Sequence, residues 1–446
     1  MHSLQRSVSK VLSNDSESRY WELSVLGLII VFVYTSLVHQ ADFLVFAHAA
    51  EKLIHGINPF PDPTSKSVYS GHSYVYPTWD LMLLVPFVIL PFHFGTAVFI
   101  VLSYYAYVLG VRILRGPSVI DLLVVAIATP VIISLQMGTI SPFLFLGLAF
   151  LWTKRDRVIS AAMVLSLVAT AKLLLLPLFL YFLLTRRYRT FVFGGIFSAL
   201  ILGVSFAFGP ISPGAYVKIL VSLSTHEMPS GWSLAGIVSS IGLVHFENEL
   251  VVLSAVLVLL GVAFMHFRRC GDERIVFLGA IVISLVATPI FWSSYLPILL
   301  AGLLIWPIDT MVLAVFSSLS WFLVTPDLAG AYRDIFGLLI AGLLAVGALL
   351  QYRATAPQLE KPLRGRALRK FFTGDITGRV ILYLAFSTSL AVAVLAPQML
   401  PSIVVQESMF LTFWIAVTQS GNCKLGMRAV IGSEFDGAWS SKGDAV

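Results

Sequence analysis

Cysteine is nearly absent from this 446-residue chain: Cys270 and Cys423 are the only two, far apart and each beside a basic cluster. Neither a disulfide framework nor a cysteine-based zinc site can be built from them. Charge is scarce as well, at 12% of residues, which excludes a solvated or disordered chain. Lys and Arg exceed Asp and Glu by 29 to 23, for a net charge of +6. In a soluble protein that balance would suggest nucleic acid, but here the cations sit in short clusters between apolar blocks, which is the pattern of membrane topology. No internal repeat and no low-complexity tract is visible, so repeated transporter halves receive no support.

What is present is hydrocarbon. Hydrophobic residues make up 58% of the chain, mean hydropathy is +0.90, and apolar runs of spanning length recur from residue 22 to about residue 420. These features predict an all-α polytopic membrane protein of about 12 spans, some short or re-entrant. Candidate spans are 21–39, 95–114, 119–135, 139–153, 158–171, 173–185, 190–209, 249–267, 275–291, 295–308, 310–325, 334–352, 378–397 and 404–420. The segment 79–91 is apolar but short and ends at Pro91; it is read as dipping back rather than crossing, which keeps Arg112 and Arg115 inside.

Basic clusters orient the rest. Arg112/Arg115, Lys154/Arg155/Arg157, Arg186/Arg187/Arg189, Arg268/Arg269/Arg274 and the stretch from Arg353 to Arg379 can all share one face, giving an N-in arrangement. The expected organisation is a cytoplasmic N-terminus (1–20), a membrane region (21–352), a basic linker (353–377), a terminal pair of spans (378–420) and a disordered tail (421–446). Arg6, Lys10 and Arg19 before an apolar run resemble a signal sequence, but Trp21 to Val38 is long for one and is read as an uncleaved first helix.

One polar island interrupts the grease: Asp42, then Gly56-Ile57-Asn58-Pro59-Phe60, then Tyr74-Val75-Tyr76-Pro77. A helix over 42–57 would set Phe43, Phe46, Ala50, Leu53, Ile54 and Ile57 on one arc and His48, Glu51 and His55 opposite, an amphipathic helix suited to a membrane surface. Gly56 would end it, Asn58-Pro59 would turn the chain, and Tyr74 and Tyr76 would anchor its return. By position alone Asp42 reads as a helix cap before it reads as a functional acid. His48 and His55 lie two turns apart, too far for adjacent metal ligands. Lys172, an ammonium between two apolar segments, is a functional candidate because charge at that depth is costly.

Taken together, several motifs resemble glycosyltransferase family 87. They are Asp42, Gly56-x-Asn58-Pro59-Phe60, Tyr74-x-Tyr76-Pro77, Ala169-Thr170-Ala171-Lys172, Arg186-Arg187 and Thr288-Pro289-x-x-Trp292 followed by Tyr295, within roughly residues 20–310. The family comprises integral-membrane enzymes of the GT-C type, similar to mannosyltransferases that build phosphatidylinositol mannosides. The resemblance implies a GT-C-like bundle in a bacterial plasma (inner) membrane, with transfer at its outer face. The donor would be a polyprenyl-monophosphate sugar, mannose foremost, and the acceptor a lipid or glycan, with inversion at the anomeric carbon. It also implies Asp42 as general base, with Lys172 suited to the donor phosphate. Asn58, Tyr74, Tyr76, Trp292 and Tyr295 follow as substrate-contact candidates.

Two positions depart from the family pattern: Gly138-Thr139-Ile140-Ser141 replaces Gly-Gln-x-Asn, and Ser293-Ser294-Tyr295 follows the Trp where a histidine is common. A further candidate lies in Thr225-His226-Glu227-Met228-Pro229-Ser230-Gly231-Trp232, where Glu227 pairs a carboxylate with a neighbouring histidine and Trp232 could stack on a sugar. An interfacial loop with a belt Trp is the alternative. No cofactor or nucleic-acid partner is expected beyond donor, acceptor and membrane lipid; no metal ligands are assigned, and a divalent-metal requirement stays open. The rival classes are a secondary transporter or flippase, and a non-catalytic subunit of envelope polysaccharide assembly.

Overall fold

The computed structural model describes residues 17–29, 41–69, 73–228, 233–240 and 245–306, with the single positions 313, 317 and 409. The expected spans 310–325 and 334–352, the linker 353–377, the pair 378–420, the tail and Trp232 lie outside the described residues. So does the second half of the first expected span.

All regular structure among the described residues is helical. The order is α1 (17–29), α2 (Ala41–Ile54), α3 (Thr78–Val88), α4 (Phe92–Arg115), α5 (Val119–Ala126), α6 (Thr129–Met137), α7 (Ser141–Lys154) and α8 (Val158–Ala171). It continues with α9 (Leu178–Leu184), α10 (Tyr188–Phe208), α11 (Pro213–Glu227), α12 (Leu234–Ser240), α13 (His245–Cys270), α14 (Glu273–Ala287) and α15 (Leu296–Leu304). Short 3-10 turns occupy Lys66–Tyr69, Leu173–Leu175 and Ser293–Tyr295.

Length and composition suffice for crossing a membrane in three of these: α4, α10 and the Glu249–Arg268 part of α13. A fourth would be α5 with α6, which meet at a 62° bend. The sequence reads 119–135 as one span, and the bend has a local cause. Pro130 in the first turn of α6 cannot donate a backbone hydrogen bond to the preceding turn, and Ala128 is extended at ψ 128°. Pro177, which likewise cannot donate, separates a 3-10 turn from the short α9 within 173–185. At 11 residues, α3 is roughly 16 Å long and cannot cross a bilayer core of about 30 Å.

One expected loop is a helix instead. Residues 213–227 form α11, started by Ser212, whose hydroxyl accepts from the Ala215 N–H at 3.3 Å, and by Pro213 in the first turn. That Ser-Pro start is a regular helix signal.

Two apolar clusters build the body. The larger joins α4 through α9 with α14 and α15, around Tyr107, Phe145, Leu148, Tyr181, Phe277 and Ile281. The smaller joins α2, α3, α11 and part of α4, around Phe43, Phe46, Phe60, Tyr74, Phe99 and Tyr216. Close approaches need glycine at two points. A Cβ on Gly95 would lie 2.0 Å from the Phe87 carbonyl oxygen in the α3–α4 hairpin, and one on Gly110 would lie 2.4 Å from the Phe145 ring where α4 meets α7.

Members of four of the basic clusters, Arg115, Arg155, Arg187 and Arg274, join one network among the described residues. Arg187 pairs with Glu273 at 2.8 Å and with Asp156 at 2.6 Å, Arg155 with Glu273 at 3.4 Å, and Arg115 with Asp121 at 3.1 Å. Arg115 also donates to the Trp306 carbonyl at 2.8 Å, and Arg274 lies over the Trp306 ring at 4.7 Å. Both α8 and α14 begin at this network, so their far ends, at Lys172 and Ala287, are carried away from it by roughly 20 Å of helix.

Candidate active site

A cavity of about 1180 Å³ opens between the two apolar clusters. Its wall takes Asp42 from α2, Tyr76 from the approach to α3, Lys172 from the end of α8, Glu227 from the end of α11, and Trp292 and Tyr295 from the turn before α15. These elements are remote in sequence, and only the packing of both clusters brings them to one space.

Asp42 occupies the first turn of α2. The helix expected over 42–57 stops at Ile54, and Gly56 follows with a left-handed φ of +69°. Phe43, Phe46 and Ala50 of the expected arc are buried, but Ile54 and Ile57 are exposed along with His48, Glu51 and His55. The arc packs on protein: Phe43 stacks near Phe99 at 4.8 Å, and Phe46 meets Tyr76 edge-on at 5.3 Å. Asp42 is thereby turned into the cavity and half-buried. Burial pushes its carboxyl up to about 6, and the positive charge of Lys172 works against that rise.

Lys172 ends α8 in an extended conformation, φ −142° and ψ 101°, and is only 6% exposed. Its Nζ lies 3.2 Å from the centre of the Tyr295 ring and 5.8 Å from that of Tyr76. No carboxylate of the described residues is within ion-pair distance. An aromatic face attracts a desolvated ammonium without forming an ion pair, which leaves room for an anion beside it.

Glu227 reaches the same wall, with its carboxyl raised by burial. Trp292 stands at the wall with 37% of its surface open. Two other sequence candidates are placed elsewhere. Asn58 is exposed and its Oδ1 accepts from the Phe60 N–H at 3.0 Å, which is a turn contact. Tyr74 is 2% exposed, donates to the Pro77 carbonyl at 2.7 Å and packs on Phe60, so it braces the wall without lining it.

The departures from the family pattern have local roles. Gly138 ends α6 in the left-handed conformation, and Thr139 Oγ1 accepts from the Ser141 N–H at 3.2 Å at the start of α7. Ser294 is buried and on the cavity wall.

Sequence reasoning passed over Tyr69 and Asp80 and took His226 only as the neighbour of Glu227. Tyr69 and His226 stack at 3.9 Å with a 7° interplanar angle, and both line the cavity. No periodicity signals such a pair across separate elements. Asp80, in the first turn of α3, is 6% exposed, and an acid inside the apolar run 79–91 was a readable signal.

Neither the curated proteins nor the solved structures include a match to the chain. Residues 74–289 match the model of glycosyltransferase family 87. That stretch holds Tyr76, Lys172 and Glu227, while Asp42 precedes it and Trp292 and Tyr295 follow it. The match supports the assignment that the motifs suggest, to a family of membrane glycosyltransferases.

Proposed function

We propose that the protein transfers a hexose, mannose foremost, from a polyprenyl-monophosphate sugar to a lipid or glycan acceptor at the outer face of the bacterial plasma membrane. Asp42 is the general base and Lys172 the donor-phosphate cation. The reading rests on one observation above all: a half-buried carboxylate and a buried ammonium share a single cavity wall. The placement of that cavity at the far ends of α8 and α14 from the arginine network agrees with an outward-facing site.

The acceptor hydroxyl attacks the anomeric carbon from the face opposite the phosphate. A carbon–oxygen bond to the acceptor forms as the bond to the phosphate oxygen breaks, inverting that centre. The bonding pair leaves with the lipid phosphate, whose growing charge meets Lys172, and the hydroxyl proton passes to Asp42. A carboxylate so placed contributes about 10² to 10⁴-fold, and fixed charge aimed at the leaving oxygen adds to it in a water-poor site. The apolar wall residues Leu173, Leu174, Leu220 and Leu223 give a prenyl chain a surface to lie on. Trp292 offers a face on which a sugar can stack.

Membranes containing the protein should transfer labelled sugar from a synthetic polyprenyl-phosphate donor, and Asp42→Asn should abolish transfer while leaving the amount of folded protein unchanged. Full transfer by Asp42→Asn rejects the assignment of the base. Uptake of substrate into sealed vesicles with no new glycosidic bond would identify a transporter.

A further inference from the structure

Tyr69 and His226 belong to the cavity wall, and the transfer chemistry leaves both unused. Tyr69 ends the 3-10 turn Lys66–Tyr69 of the first polar loop, and His226 stands in the last turn of α11. Their rings stack at 3.9 Å with a 7° interplanar angle, although His226 is exposed and Tyr69 only half-buried. The imidazole is fixed a second time, because its Nδ1 lies 2.8 Å from the Ser222 carbonyl oxygen one turn back. A carbonyl can only accept, so Nδ1 carries the proton, and in the neutral ring Nε2 is left as a hydrogen-bond acceptor. A ring held flat by a stack and in rotation by a hydrogen bond is oriented before any ligand arrives.

Its neighbours on the wall are acceptors too. Glu227 brings a carboxylate, and the Ser224 hydroxyl already donates to the Val221 carbonyl at 2.9 Å, which leaves it its lone pairs. The C-terminal end of α11 adds partial negative charge to the same place. Lys172 is the one lysine or arginine among the described wall residues, and it belongs to the end of α8. A phosphate is therefore drawn to Lys172 and repelled from the end of α11. What fits an array of acceptors of this sign is an uncharged group rich in O–H donors, and sugars and other polyols answer that description.

We infer that Ser224, His226 and Glu227, with Tyr69 as the plate that holds the imidazole flat, form a subsite for an uncharged polyol ring whose hydroxyls donate to Nε2 and to the Glu227 carboxylate. Assigning that ring to the acceptor rests on the proposed transfer reaction, in which the donor is fixed by its phosphate at Lys172.

Binding to the full-length protein in phospholipid nanodiscs, followed by ligand-detected NMR, tests the subsite without any assay of transfer. Methyl glucoside and methyl glucuronide are matched probes, since they differ by one carboxylate. The parent should bind the glucoside roughly fivefold more tightly, and Glu227→Gln should bind the two about equally. His226→Phe keeps a ring against Tyr69 but has no Nε2, so it should melt like the parent and bind the glucoside roughly fivefold more weakly. If His226→Phe does not fold, the Glu227→Gln comparison decides. No glucoside binding by the parent, equal binding of the two probes by the parent, or undiminished binding by a folded His226→Phe overturns the inference. Displacement of the glucoside by a polyprenyl-phosphate sugar would place the donor's own sugar here and overturn the acceptor assignment. Binding that depends on both residues in a protein that transfers no sugar would reject the proposed reaction and keep the subsite; transfer without that dependence would do the reverse.

Discussion

The acid limb of the pH–rate profile carries the most information about the proposed base. Burial raises the Asp42 carboxyl to about 6, so its catalytic anion forms as pH rises through that value. About 90% of it is ionised near pH 7 and about 10% near pH 5, so kcat/KM should fall roughly ninefold between the two. Lys172 opposes the rise, so removing its charge must move the limb upward. Lys172→Met should therefore show two separable defects: a lower plateau, from the missing phosphate cation, and a limb displaced to higher pH. Initial rates of labelled-sugar transfer from pH 4.5 to 9, with detergent and donor held constant, measure both. A limb near 4 in the parent protein, or one unmoved by Lys172→Met, refutes the electrostatic pairing of the two residues.

Three further outcomes follow. Because the folded carboxyl of Asp42 sits above its unfolded value of 3.8, its contribution to stability is full below about 3.8 and lost as pH rises through about 6; Asp42→Asn should thus melt higher than the parent at pH 8, by up to ~3 kcal/mol, and a lower melting temperature there would contradict the burial argument. Tyr295→Phe should retain most activity because it keeps the ring under Lys172, whereas Tyr295→Leu removes a desolvated cation–π contact of about 2 kcal/mol and should cost roughly 30-fold; equal rates for the two variants would deny the ring that role. Gly110→Val sets a side chain against the Phe145 ring and should lower folded yield and melting temperature by the ~1–3 kcal/mol of an overpacked core, read in detergent by size-exclusion profile and thermal unfolding.

Composition and periodicity were enough for what depends on neighbours in the chain. Helical class, apolar segments, the exposed histidine face of α2, the stop at Gly56 and the full extent of α8 are set by hydrophobic period and backbone preference, which are local quantities. The bends at Pro130 and Pro177 and the start of α11 at Ser212-Pro213 were also written locally, but a uniformly apolar background hides such breaks from any measure of hydrophobicity. The motifs placed Asp42, Lys172 and Tyr295 as candidates one at a time. Packing alone put them on one wall, separated Tyr74 and Asn58 from it, stacked Tyr69 on His226 and buried Asp80. Burial and distance between remote helices determine whether a charge is paired, screened or free to act, and neither quantity is a property of any single stretch of sequence.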